Sequence, residues 1–169
     1  MVTTRQKFSS NIMTTQVQPK AIYRQKLSAH LLKEDAIPFS GPIKSSFDAA
    51  TAGLLFWDLD EIRLVEHFYA LYLKQNAEPA AWARISTGTT TGCLIDMKVL
   101  IAHGILCNAT NVIVFHNHPS GSLTPSNADF HLTKKIKEAT ALVGIHLLEH
   151  IILSPDGNYH SFSDNDQLK

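Results

Sequence analysis

Cysteine, long apolar runs and net charge are all scarce in this chain, and each scarcity removes a class of protein. The two cysteines, Cys93 and Cys107, stand in different predicted elements and form no Cys-x-x-Cys pair. That argues against a disulfide scaffold or a thiolate zinc site and fits the reduced thiols of a cytoplasmic protein. No run approaches the roughly 18 apolar residues that a membrane-spanning helix requires. The opening MVTTRQKFSSNIMTTQVQPK also lacks the apolar core of a secretory signal. Lys plus Arg equals Asp plus Glu at 15 each, so no overall field attracts nucleic acid or an anionic membrane.

What remains is a chain of 169 residues, 44% hydrophobic, long enough for one proper core. Residues 1 to 44 read as an N-terminal arm: Thr-, Ser-, Gln- and Asn-rich at first, with a helix over residues 21 to 33 where Tyr23, Leu27 and Leu31 repeat at helical spacing. The arm carries Arg5, Lys7, Lys20, Arg24, Lys26 and Lys33 against Glu34 and Asp35, the excess of a solvated segment. IPFSGP (37 to 42) separates it from a domain over residues 45 to 169.

Within that domain Ser45 or Ser46 caps a helix, SFDAATAGLLFWDL, with Asp48 in its first turn. EHFYALYLK (66 to 74) reads as a buried strand and AAWARIST as its antiparallel partner. Asp96 caps a helix over MKVLIAHGILC, with Val99, Leu100, Ala102, His103 and Leu106 on its apolar face. NVIVF (111 to 115) is a central strand. A helix runs from Ser126 to about Leu142 or Val143, with Gly144 as its stop, and IHLLEHIIL and NYHSF form a closing hairpin. The order α-β-β-α-β-α-β-β predicts an α/β (α+β) fold, a mixed sheet with helices packed against it.

The stretch FHNHPSGSLTPSNAD (115 to 129) carries the chemistry. Side chains alternate along an extended segment, so His116 and His118 project from one face. Pro119, Gly121 and Pro125 turn the chain back, bringing Asp129 to the first turn of the following helix. Two imidazoles and one carboxylate form a donor set suited to a catalytic Zn2+ that keeps one position for water. Ser126 and Asp129 also fit a capping box, which by itself is a structural pairing.

A hydrolytic site needs a base to take a proton from water, and this stretch holds none to spare. Glu61, Glu66 and Glu78 are the upstream candidates. Glu78 lies in a turn and Glu61 in a charged run with Asp58 and Asp60; Glu66 opens an apolar strand, where its charge can enter a neighbouring site. The other histidines, His30, His67, His103, His131, His146, His150 and His160, read as ordinary surface or partly buried residues. Lys134, Lys135 and Lys137 decorate the exposed face of the motif helix.

HNHPSGSLTPSNAD, followed by KKIKEATALVGIHLLEHIILSPDGNYHSF, resembles the RadC family, a bacterial branch of the JAMM (MPN-plus) metalloprotease superfamily, over roughly residues 45 to 163. The resemblance implies a JAMM/MPN-type curved mixed sheet flanked by helices, a cytidine-deaminase-like architecture. It implies His116, His118 and Asp129 as ligands of one Zn2+ per chain, Glu66 as the residue that activates water, and Ser126 as the residue that steadies the oxyanion. Two positions depart from the family pattern. Glu149 precedes His150 where relatives commonly have Asp, and Lys98 stands near a usual arginine. The N-terminal helix-hairpin-helix module of many full-length relatives is not expected in the residues ahead of this domain.

The leading expectation is therefore a cytoplasmic zinc metallohydrolase of peptide or isopeptide bonds in a peptide or protein substrate. The alternative is a DNA-repair-associated accessory protein with a structural or vestigial metal, as the family's repair label suggests; balanced charge favours a nucleic-acid partner less. A metal-free interaction scaffold is the third reading, and the complete ligand set weighs against it.

Overall fold

A computed structural model describes residue 39 and residues 41–57, 60–88 and 94–168. The helix expected over residues 21 to 33 lies outside the described residues. The eight elements follow the expected order: α1 Ser46–Leu54, β1 His67–Leu73, β2 Pro79–Thr87, α2 Met97–Leu106, β3 Asn111–Asn117, α3 Asn127–Ala141, β4 His146–Leu153 and β5 Tyr159–Ser161. The strands form one mixed sheet in the order β2-β1-β3-β4-β5, consistent with the mixed sheet flanked by helices that the resemblance implies. β1 pairs antiparallel with β2 and β3, β3 pairs parallel with β4, and β4 pairs antiparallel with β5. The parallel pair needs a crossover, and α3 supplies it.

Both faces of the sheet are covered, so its central strands are apolar without alternation; all seven residues of β1 are buried. Period two still divides them. Tyr69, Leu71, Leu73, Ile113, Phe115, Ile151 and Leu153 join Ala49, Ala52, Phe56 and Trp57 in one core beneath α1. Phe68, Ala70, Tyr72, Val112 and Val114 join Leu100, Ile136 and Ile145 in the other, beneath α2 and α3. The face of β3 that carries Val112 and Val114 therefore looks toward α3, which decides where His116 points.

Local signals set the ends of the helices. Ser45 accepts from the Asp48 N–H at 3.1 Å and Asp96 from the Lys98 N–H at 2.9 Å, and Gly144 follows α3 at a φ of 75°, where a side chain is disfavoured.

Two expectations need correction. α1 stops at Leu54 and does not run on through Trp57. A continued helix would spread Leu54, Leu55, Phe56 and Trp57 around its circumference, whereas the turn lets Phe56 and Trp57 both enter the core. There Phe56 stacks on Trp82 at 5.1 Å and meets Phe115 edge-on at 5.4 Å. On α2 the buried residues are Leu100 and Gly104, while Val99, His103 and Leu106 face outward. The missing side chain of Gly104 lets the helix settle on Tyr72 and Ile145.

Gly53 makes the closer test of packing, because a Cβ there would lie 2.8 Å from the ring of the fully buried Phe115. Replacing Gly by Ala inside a helix gains about 1 kcal/mol of propensity, but overpacking costs about 1–3 kcal/mol. Gly53→Ala is expected to lower unfolding free energy by about 1 kcal/mol in a denaturant titration. An unchanged or raised midpoint would contradict this packing.

Candidate metal centre

β3 ends at Asn117, and its last residues sort by face as an extended strand must. His116 continues the face of Val112 and Val114; Asn117 takes that of Ile113 and Phe115; His118 returns to the first. α3 starts over that first face, with Asp129 in its opening turn. The three residues thus meet where the carboxyl end of a parallel strand faces a helix N-terminus, a common location for sites in α/β sheets.

Nε2 of His116 lies 3.1 Å from Nε2 of His118 and 3.2 Å from Oδ1 of Asp129, and Nε2 of His118 is 3.6 Å from Oδ2 of Asp129. Ligand atoms around a tetrahedral Zn2+ with bonds of about 2.0–2.1 Å stand about 3.3 Å apart. These separations, which involve both carboxylate oxygens of Asp129, lie close to that spacing, and His116, His118 and Asp129 can hold a metal ion. For His118 the orientation of the ring proton follows from its partner. Nδ1 is 2.8 Å from the Ser122 carbonyl oxygen, which can only accept, so Nδ1 donates and Nε2 of the neutral ring keeps its lone pair.

Asp129 serves both the helix and the cluster. Its Oδ2 accepts from the backbone N–H and the hydroxyl of Ser126, each at 2.7 Å, while its own N–H donates to Ser126 Oγ at 3.2 Å. The capping box is complete; Oδ1 faces His116, and Oδ2 is shared between Ser126 and the side of His118. Burial pushes the Asp129 carboxyl up, but the neighbouring His116 and His118 imidazoles outweigh it and hold the group well below the usual carboxylate range. Asp129 in turn raises the His118 imidazole against the effect of its own burial. The Ser126 hydroxyl is committed to Asp129 in this arrangement.

Of the upstream glutamates, Glu66 belongs to this neighbourhood. It sits half-buried just before β1. Burial raises its carboxyl, the charges of His116 and His118 oppose that rise, and Asp129 adds to it. Glu78 is paired with Lys74 at 3.4 Å in its turn, and Glu61 lies 3.2 Å from His67 and 3.6 Å from Arg84.

Two residues that the sequence reading gave no role support the site. Asn117 is fully buried between the two histidines and points the opposite way. Its Oδ1 accepts from the His67 N–H at 2.7 Å, and its Nδ2 donates to the carbonyls of Ile62 at 2.8 Å and Val65 at 2.9 Å. It thereby ties the backbone on both sides of Glu66 to the strand that carries the histidines. An asparagine flanked by histidines at period two was the available signal. His150 is also fully buried, and its Nε2 is 2.8 Å from His116 Nδ1; burial drives its imidazole strongly toward the neutral form. Glu149 beside it accepts from Ser161 Oγ at 2.6 Å and Ser163 N at 3.0 Å, fastening the end of the chain.

Asn117→Ala would leave one buried N–H and two carbonyls without partners, and each orphaned group costs about 1–3 kcal/mol. A loss of at least about 2 kcal/mol in chemical denaturation is expected, with all three cluster residues intact and metal uptake retained. Wild-type stability in the variant would show that water replaces these bonds without penalty.

Comparison with known proteins agrees with this geometry. The family model described as "RadC-like JAB domain" matches residues 45–168. A UPF0758 protein from Flavobacterium johnsoniae is 37% identical over 99 residues, covering 59% of this chain and 43% of its own length. A UPF0758 protein from Chlorobium phaeovibrioides is 36% identical over 103 residues, covering 61% and 46%. A third, from Finegoldia magna, is 42% identical over 90 residues, covering 53% and 40%. The matched region spans less than half the length of each of these curated relatives. With the family model matching most of its length, the chain belongs to the RadC-like JAB domain family.

Proposed function

We propose that the protein is a zinc-dependent metallohydrolase, a metallopeptidase or isopeptidase that cleaves an amide bond in a peptide or protein substrate. The observation that carries this reading is the convergence of two imidazole nitrogens and one carboxylate oxygen within 4.8 Å of one another, with a half-buried glutamate beside them. Two neutral histidines and a carboxylate, with no thiolate, match the donor sets of catalytic zinc sites. Zinc held by His116, His118 and Asp129 would supply Lewis acidity and bring water into the range where a carboxylate can deprotonate it.

The remaining steps belong to the chain. Glu66 accepts the proton of the attacking water at its carboxylate and delivers it to the departing amine, a transfer helped by the upward shift that burial gives it. Ser126 turns its hydroxyl from Asp129 to the developing oxyanion, while its backbone N–H keeps Asp129 in place. No helix among the described residues is long and apolar enough to cross a membrane, which is compatible with a cytoplasmic enzyme. A second reading, a DNA-associated accessory protein, draws on the exposed Lys134, Lys135 and Lys137 of α3. It is the weaker one, because Lys134 lies 4.0 Å from Glu138 and Lys137 already donates to the Leu168 carbonyl.

Purified protein is expected to hold one Zn2+ per chain by elemental analysis, and His116→Ala or Asp129→Ala to hold none. Glu66→Gln should keep its zinc but lose on the order of 100-fold or more of turnover on a peptide and isopeptide library. Unchanged turnover in that variant would remove Glu66 as the base. DNA binding that weakens with salt, vanishes on charge reversal at the three lysines and ignores Glu66→Gln would favour the accessory reading.

A further inference from the structure

His118 has a backbone carbonyl to set its ring proton; His116 has another histidine, and that partner has a third. His116 Nδ1 lies 2.8 Å from His150 Nε2, His150 Nδ1 lies 2.6 Å from Thr133 Oγ1, and the Thr133 hydroxyl donates to the Asp129 carbonyl at 2.6 Å. Thr133, His150 and His116 come from α3, β4 and β3, and the chain of bonds starts and ends on residues of the ligand cluster.

Counting donors fixes every direction in it. A carbonyl oxygen only accepts, so the single hydroxyl proton of Thr133 is given to Asp129, one turn earlier on the helix. Toward His150 the threonine oxygen can then only accept, which puts the His150 proton on Nδ1. His150 is 0% exposed, stacked on Phe162 at 4.6 Å and met edge-on by Phe68 at 5.8 Å, surroundings that disfavour a second proton. Its Nε2 is therefore a bare acceptor, and His116 must donate to it through Nδ1. The Nε2 of His116 is left as a lone pair aimed at His118 and Asp129.

We propose that Thr133 and His150 are positioning residues that fix the His116 tautomer, so that Nε2 is the metal-binding atom. This rests on the metal reading above and extends it to two residues that touch neither ion nor substrate. Metal-binding histidines usually donate their other N–H to a carboxylate, a carbonyl or water. Here a neutral imidazole takes that place and needs its own orienting partner, and Thr133 is that partner. Without the Thr133 oxygen, His150 is free to carry its proton on Nε2; His116 Nδ1 then becomes the acceptor, and the His116 proton moves to the atom that should bind metal.

The test uses the full chain with Zn2+ alone as the probe, in chelator competition, together with 15N imidazole spectra of the metal-free and zinc-loaded forms. Thr133→Val keeps the shape of the side chain and removes the oxygen. It should weaken Zn2+ binding by on the order of 10–100-fold and move the His150 proton from Nδ1 to Nε2, while Thr133→Ser restores both. If Thr133→Val folds poorly, His150→Gln, whose side-chain carbonyl can accept from His116, should bind Zn2+ more tightly than His150→Leu. A purely structural role would lower the melting temperature of the metal-free variant and leave the tautomers unchanged. Wild-type zinc affinity in Thr133→Val, or a wild-type His150 protonated on Nε2, overturns the proposal. A wild-type chain that takes up no Zn2+ contradicts the metal reading instead, and the His150 tautomer in the metal-free spectra still decides the relay.

Discussion

The site depends first on the register of one strand. β3 carries His116, Asn117 and His118 in sequence, and because an extended chain alternates its side chains, the two histidines go to the α3 face and the asparagine to the α1 face. A slip of one residue would reverse all three assignments. The register is held by pairing on both sides, Phe68 opposite His116 on β1 and Ile152 opposite His116 on β4. It is also held by two separate cores, since exchanging Ile113 and Phe115 with Val112 and Val114 would put large side chains where small ones fit. Core packing and ligand direction are thus one constraint, and the polar ends of β3 inherit their geometry from its apolar middle.

Once the faces are set, backbone carbonyls and buried donors determine what each polar atom can do. The Ser122 carbonyl directs the His118 ring, the Asp129 carbonyl directs Thr133, and the Ser126 N–H and hydroxyl occupy one oxygen of Asp129. Asp129 is a charged group in a buried place, which is unfavourable alone. The helix N-terminus, the capping serine and the two imidazoles offset that cost. A metal ion would meet donors whose protons already point away.

Much of this was legible in the sequence, for definite reasons. The period-two placement of His116 and His118, the turn residues Pro119, Gly121 and Pro125, and the cap at Ser126 are local signals, and each element appears where those signals put it. The largely apolar β1 and the β-branched β3 marked a buried and a central strand. What local pattern does not encode is which side chain a distant element leaves room for. The end of α1 is decided by Phe115 and Trp82, the buried face of α2 by contact with Tyr72 and Ile145. His150 looked like any strand histidine because its partners, Thr133 and His116, are 17 and 34 residues away. Asn117 was passed over as the spacer of His-x-His, although its three bonds reach back 50 to 55 residues, to His67, Val65 and Ile62. Glu66 stood out among three candidates because it opens an apolar strand, and resemblance to the family added to that choice.

The central claim is that His116, His118 and Asp129 surround one ion with nitrogen and oxygen donors only. X-ray absorption spectroscopy of the zinc-loaded full chain reads this directly. The account predicts a single shell of nitrogen and oxygen at about 2.0–2.1 Å with outer scattering from two imidazole rings. A sulfur shell near about 2.3 Å, or the signature of fewer than two imidazoles, would contradict it.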